Sequence, residues 1–182
     1  MLIGKTIDAV RLKLIVGMKA GSGGGDGMGG GSCGGGDSNA HDIFIHRVKD
    51  VTSPSSTGDW GESATTSAGP TIGGTGQGAA AGTDDATWES RRHDENPEWA
   101  SGGGGDYEAT ASDTQAGGTT CPYLVTFQGS GMEADVDGWT RSTPTFDNRG
   151  WILINEDEED AQSFRAFWTK KESYKCTPSL SV

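Results

Sequence analysis

Wherever the hydrophobic pattern of this chain has a period, the period is two. Over residues 5–16, Ile7, Ala9 (weakly), Leu12, Leu14 and Val16 stand against Arg11, Lys13 and Ile15. Such alternation sends successive side chains to opposite faces of an extended backbone and predicts a half-buried strand. Residues 41–51 repeat it, with Ile43, Ile45 and Val48 on one face and Phe44 and His46 on the other. Residues 122–128 form a third strand, with Tyr123, Val125 and Phe127 sharing a face. Residues 150–155 are the most apolar strand, residues 163–169 and 178–182 are shorter ones, and a weaker alternating run covers 108–112. Residues 132–139 fit a short helix or a turn leading to Trp139. No helical period is sustained, and short strands with glycine-rich turns predict an all-β fold, a β-sandwich or jelly roll with long Gly-rich loops. Leu12, Leu14, Ile43, Ile45, Val125, Phe127, Ile152, Ile154 and Phe167 are the expected core.

Composition narrows the core and lengthens the loops. Gly and Pro number 31 and 6, about a fifth of the 182 residues. Leu, Ile, Val and Phe make up about 14%, below the roughly 20% that marks disorder in highly charged chains. Six Trp and the clustering of the apolar residues argue for a folded chain. The expected organisation is therefore one domain over residues 1–182, with Gly-, Ser- and Thr-rich insertions at 17–40 and 63–85. Glycines in the first insertion are not followed by the Lys-Ser/Thr pair of a phosphate cradle, and the chain after them reads as a strand.

The formal net charge is −12, and most of the excess lies in the second half. An acidic chain with no basic stripe repels phosphate backbones, so nucleic acid is not an expected partner. No apolar run approaches the roughly 18 residues of a membrane span. Residues 1–16 place Lys5, Asp8, Arg11 and Lys13 where a signal peptide needs an uncharged stretch, so the expectation is either use without standard secretion or a chain that begins after processing.

Candidate chemistry is sparse. There is no nucleophile-elbow motif, and His41, His46 and His93 read as ordinary surface or edge histidines, so no enzyme activity is expected. Trp60, Trp99 and Trp168 are the candidate sugar-stacking residues, since indole rings present apolar faces at wet surfaces. Trp88, Trp139 and Trp151 adjoin predicted elements and are assigned to the core. Glu156, Asp157, Glu158 and Asp160 lie in an acidic run that could supply several of the six to eight oxygens Ca2+ takes, although the spacing is not that of an EF-hand. Such a run is more commonly a solvated loop. Cys33, Cys121 and Cys176 fit no zinc pattern; one disulfide with a free thiol and three reduced thiols both stay open.

The order of these pieces resembles the DNRLRE-type β-sandwich domain, a family of surface and secreted proteins related to a carbohydrate-binding module family. The segments that carry the resemblance are residues 4–16, residues 43–49, Asp59-Trp60-Gly61-Glu62, Ala86-Thr87-Trp88-Glu89, and Trp99 followed by residues 102–107. They continue with Asn148 to Leu153, Phe164 to Trp168 with Lys171-Glu172, and Pro178 to Val182. The set covers nearly the whole chain in the family's order. The chain departs from the family in starting at about its third strand and in carrying the two insertions. A sandwich short of its first strands has an open sheet edge, which invites a strand from a neighbour. The expectation is a non-enzymatic exterior structural subunit of a bacteriophage or virus particle, as capsid decoration or tail component. It would be made in the cytoplasm, exposed on the virion, and partnered by further copies or other virion proteins. The alternative is a carbohydrate-binding module of a cell-surface or adsorption protein, extracellular and bound to a surface polysaccharide.

Overall fold

A computed structural model describes residues 5–19, 41–49, 87, 89, 99, 105–118, 123–157, 165–167 and 178–182. The described residues form a mainly-β structure: seven strands in two antiparallel sheets and one short helix. The strands are β1 (Arg11–Lys19), β2 (Asp42–Arg47), β3 (Asp113–Ala116), β4 (Tyr123–Phe127), β5 (Trp151–Asn155), β6 (Arg165–Phe167) and β7 (Ser179–Ser181). Helix α1 spans Ser130–Thr140, between β4 and β5. Only the second half of the alternation at 5–16 is strand: β1, the central strand of the first sheet, starts at Arg11, and residues 5–10 form no regular element. One edge of β1 pairs with β4, from Leu12 opposite Phe127 to Val16 opposite Tyr123. Its other edge pairs with β7 around Leu12–Leu180 and with β6 around Val16–Phe167. The second sheet has the order β3-β2-β5.

Two compact units divide the chain. The first comprises Met1–Arg47, Ala109–Phe146 and Trp151–Val182 and holds both sheets and the helix. Its core is Val10, Leu14, Val16, Ile43, Ile45, Val125, Phe127, Met132 and Val136, with Leu12, Tyr123, Trp139, Trp151, Leu153 and Phe167 packed against it. Burial alternates along residues 11–16 of β1 and along β4, because period two sends only one face to the core. In β2 it alternates from Asp42 to Ile45, after which His46, expected at the surface or an edge, is also buried. The second unit comprises Val48–Glu108 and Asp147–Gly150. In it Val48 bridges Tyr107, and the Lys49 amide donates to the Asp106 carbonyl at 2.8 Å.

Three expectations change. Ile152 and Ile154 do not join the core: opposed pairing puts Trp151 and Leu153 on the core face of β5, with Ile152 and Ile154 beside His46 and Phe44 on the other face. The run Trp-Ile-Leu-Ile is apolar at every position, so it carries no alternation from which a face could be read. The first insertion begins later than residue 17, because β1 continues to Lys19 through an irregularity between Val16 and Met18. Pairing with β6 satisfies the backbone there without any side-chain pattern. The strand expected near Glu108–Ser112 forms instead at Asp113–Ala116, where its residues pair with Asp42–Ile45.

Helix α1 forms where a helix or turn was expected, so the described fold is not strictly all-β. Met132, Asp135, Val136 and Trp139 lie at i, i+3, i+4 and i+7, and all four face the core or pack against it. An acid in the stripe and glycines at 131 and 138 blur its helical signature. Those glycines permit close approach: a Cβ at Gly131 would lie 2.5 Å from the Ser112 carbonyl oxygen, and one at Gly138 would lie 2.4 Å from the Phe146 ring.

Candidate functional site

Two features stand out in the second sheet: a buried polar knot, and a strand, β5, that is paired on one side among the described residues. The knot starts from Asp135, which the helical period carries onto the buried face of α1. A carboxylate there must be paired to remain charged. The Ser112 hydroxyl donates to its Oδ2 at 2.5 Å, and the Trp151 indole N–H donates to the same oxygen at 2.7 Å. Arg47 Nε lies 3.2 Å from Oδ1, with the two side chains only 13% and 11% exposed. The Arg47 guanidinium also stacks over the Phe146 ring at 3.6 Å. Four segments therefore converge on one carboxylate: the end of β2, the approach to β3, helix α1 and the start of β5. Trp139 packs on Trp151 at 4.7 Å between ring centroids, which adds an aromatic clamp on the same end of β5. The Asp135 oxygens accept from three donors on three segments, which ties the start of β5 to helix α1.

The edge is β5 itself. Among the described residues it pairs on one side only, with β2. The Glu156 amide donates to the Asp42 carbonyl at 2.8 Å, which fixes the direction of every main-chain group along the strand. By alternation, the amides and carbonyls of Ile152 and Ile154 point to β2, and those of Trp151, Leu153 and Asn155 point away from it. All five residues are partly buried and none is charged. Edge strands usually carry a lysine, a proline or a bulge that discourages pairing with another chain. Trp151–Asn155 has none of these residues.

A third feature is a polar pocket of about 380 Å3 lined by Lys5, Thr6, Asp137, Arg141, Ser142 and Thr143. It lies at the C-terminal end of α1, where Arg141 Nε donates to Asp137 Oδ2 at 3.0 Å across one helical turn. A cation at this end also complements the helix dipole.

Of the sequence-derived site residues, Trp99 is buried, at 8% exposure, and its indole N–H donates to the Thr87 carbonyl at 3.0 Å. Trp60 and Trp168 lie outside the described residues. Glu156 and Asp157 are exposed at the end of β5, and Glu156 Oε2 accepts from the Asp42 amide at 3.0 Å. Glu158 and Asp160 lie outside the described residues, as do Cys33, Cys121 and Cys176 and the insertion at 63–85. Among the described residues, no three His, Cys, Asp or Glu side chains are grouped to hold a metal ion. Sequence reasoning missed Asp135, Ser112 and Arg47. The available signal was Asp135 itself, an acid three residues after Met132 on the stripe shared with Val136 and Trp139.

The described residues define a mainly-β protein in which a buried carboxylate ties helix α1 to strand β5. Comparison with protein-family models, curated proteins and solved structures gave no match. Among the described residues, no helix is long and apolar enough to cross a membrane.

Proposed function

We propose that this chain is a non-enzymatic structural subunit, folded as a β-sandwich, that docks through sheet edges and loops on the exterior of a bacteriophage or virus particle. The observation that carries the reading is β5: an uncharged, partly buried strand, pinned by Asp135 and paired on one side only among the described residues. Main-chain groups held in place before association cost less entropy on docking. Two antiparallel sheets that contribute to one core support the sandwich reading, as does the order of the DNRLRE-like segments. The virion setting rests on the surface-type resemblance and on an acidic balance that suits a repeated, solvent-facing shell. The test is mass spectrometry of purified particles from a host in which the gene is expressed. Recovery of the chain at a fixed ratio to the major capsid or tail protein supports the proposal, and its absence from particles ends it.

One observation favours a second reading, carbohydrate binding. The pocket at the end of α1 offers a carboxylate, two cations and three hydroxyls, a donor and acceptor set suited to a polyhydroxylated ligand. A glycan array decides it. Binding to a defined polysaccharide that is lost in Asp137→Ala supports this reading, and a blank array removes it.

A further inference from the structure

We infer that the outward face of the first sheet docks an extended acidic segment of another protein, one that carries two carboxylates and then an apolar side chain on alternate residues. The inference rests on the assembly reading above, and it names a surface and the chemistry of its partner. Alternation divides β1 between two faces. Leu14 and Val16 are buried and Leu12 packs against the core, so Arg11, Lys13 and Ile15 turn outward. The register places their neighbours. Ser181 stands opposite Arg11, Ser179 and Thr126 stand opposite Lys13, and Leu124 stands opposite Ile15. Arg11, Lys13 and both serines are exposed, and Leu124 is 52% exposed. These positions hold two cations and no acid, on a chain whose formal net charge is −12. Among the described residues, no carboxylate pairs with Arg11 or Lys13.

Charge decides the occupant. A second copy docked face to face about a twofold axis brings the same two cations against Arg11 and Lys13, and like charges across an interface repel. Nucleic acid is disfavoured by the acidic balance of the whole chain. An anionic membrane is held by clusters of about four to eight basic residues, or by aromatic side chains that enter the headgroup layer. This face has two cations flanked by the short side chains of Ser179, Ser181 and Thr126. An acidic protein segment meets none of these objections. Arg11, Lys13 and Ile15 lie two residues apart on an antiparallel strand, so their side chains repeat at about 6.8 Å. An extended partner presents alternate side chains at the same repeat. Two carboxylates then meet Arg11 and Lys13, and the next side chain on that face meets the Ile15–Leu124 pair. The guanidinium takes a carboxylate bidentately, and the flanking hydroxyls donate to carboxylate oxygens that remain.

The experiment uses the full chain and a fluorescein-labelled synthetic peptide with the core sequence glutamate-threonine-glutamate-threonine-leucine, read by fluorescence anisotropy at low salt. The peptide should bind, and added salt should weaken it. Combining Arg11→Glu with Lys13→Glu should weaken binding by about tenfold or more, and Leu124→Ser should weaken it less. A second peptide with lysine in place of both glutamates should bind the double variant and not the unaltered chain, a reversal that loss of folding does not produce. Vesicles of phosphatidylserine and phosphatidylcholine should leave the chain in the supernatant. Absence of binding to the first peptide overturns the inference, as does binding unchanged in the double variant or equal for both peptides. Co-sedimentation with the vesicles that the double variant loses also overturns it. Dimerisation in sedimentation velocity that the double variant abolishes assigns the face to a second copy and overturns it too. If the chain is found in particles but the peptide does not bind, only the assignment of this face fails. If the peptide binds with the expected reversal and the chain is absent from particles, the face stands and the virion proposal fails.

Discussion

Replacing Asp135 by Ala tests the most consequential polar arrangement in the molecule. The substitution removes the acceptor of the Ser112 hydroxyl and the Trp151 indole N–H, at 2.5 and 2.7 Å, and the counter-charge of Arg47. A hydrogen bond to a charged group contributes about 1.5–3 kcal/mol. Breaking a largely buried ion pair by removing one member is the larger effect and costs about 3–5 kcal/mol in all. The Phe146 ring beneath the guanidinium offsets part of this, by about 0.5–2 kcal/mol. A net loss of about 3 kcal/mol is therefore expected, a large share of the roughly 5–15 kcal/mol that holds a domain together. At about 2–4 °C per kcal/mol for a chain of this size, Tm should fall by about 6–12 °C. Urea unfolding followed by tryptophan fluorescence measures the change, with the midpoint lowered and the slope unchanged. The double variant Asp135→Leu with Arg47→Met removes both members of the pair and should recover at least half of the loss, because apolar side chains then replace the broken ion pair. If Asp135→Ala costs under about 1 kcal/mol, or if the double variant is as unstable as the single one, the knot is not what anchors β5.

Three further outcomes follow from the packing. Gly131→Ala should destabilise the protein by about 1–2 kcal/mol in thermal melts. The helix-propensity gain of about 1 kcal/mol is outweighed because the new Cβ meets backbone, the Ser112 carbonyl, which cannot swing aside. Phe127→Ala, at a fully buried ring of the core, should cost about 3–5 kcal/mol by urea unfolding. Arg141→Ala should cost no more than about 0.5 kcal/mol by the same assay, because its partner Asp137 and the arginine are both well exposed; a larger loss would mean that the pocket at the end of α1 has a structural role.

The strands were legible because period two is written into residues 11–16, 43–48 and 123–127, and one face of each must leave water. Helix α1 was only half legible: Met132, Val136 and Trp139 have the right spacing, but Asp135 sits among them, and an acid on an apolar stripe argues against a helix unless its partners are known. Those partners come from residues 47, 112 and 151, and no local pattern links positions so far apart.

Sequence alone determined that this protein would be mainly β with a small core, and that its strands β1, β2 and β4 would bury Leu14, Ile43, Ile45, Val125 and Phe127. Alternation is a local property, and burial follows from it directly. Tertiary structure decided which face of β5 points inward, where β1 ends, and that Asp135 gathers Arg47, Ser112 and Trp151. A uniformly apolar strand takes its register from its neighbour's hydrogen bonds, and a buried carboxylate is tolerated only once distant donors surround it. Both depend on chain segments meeting in space.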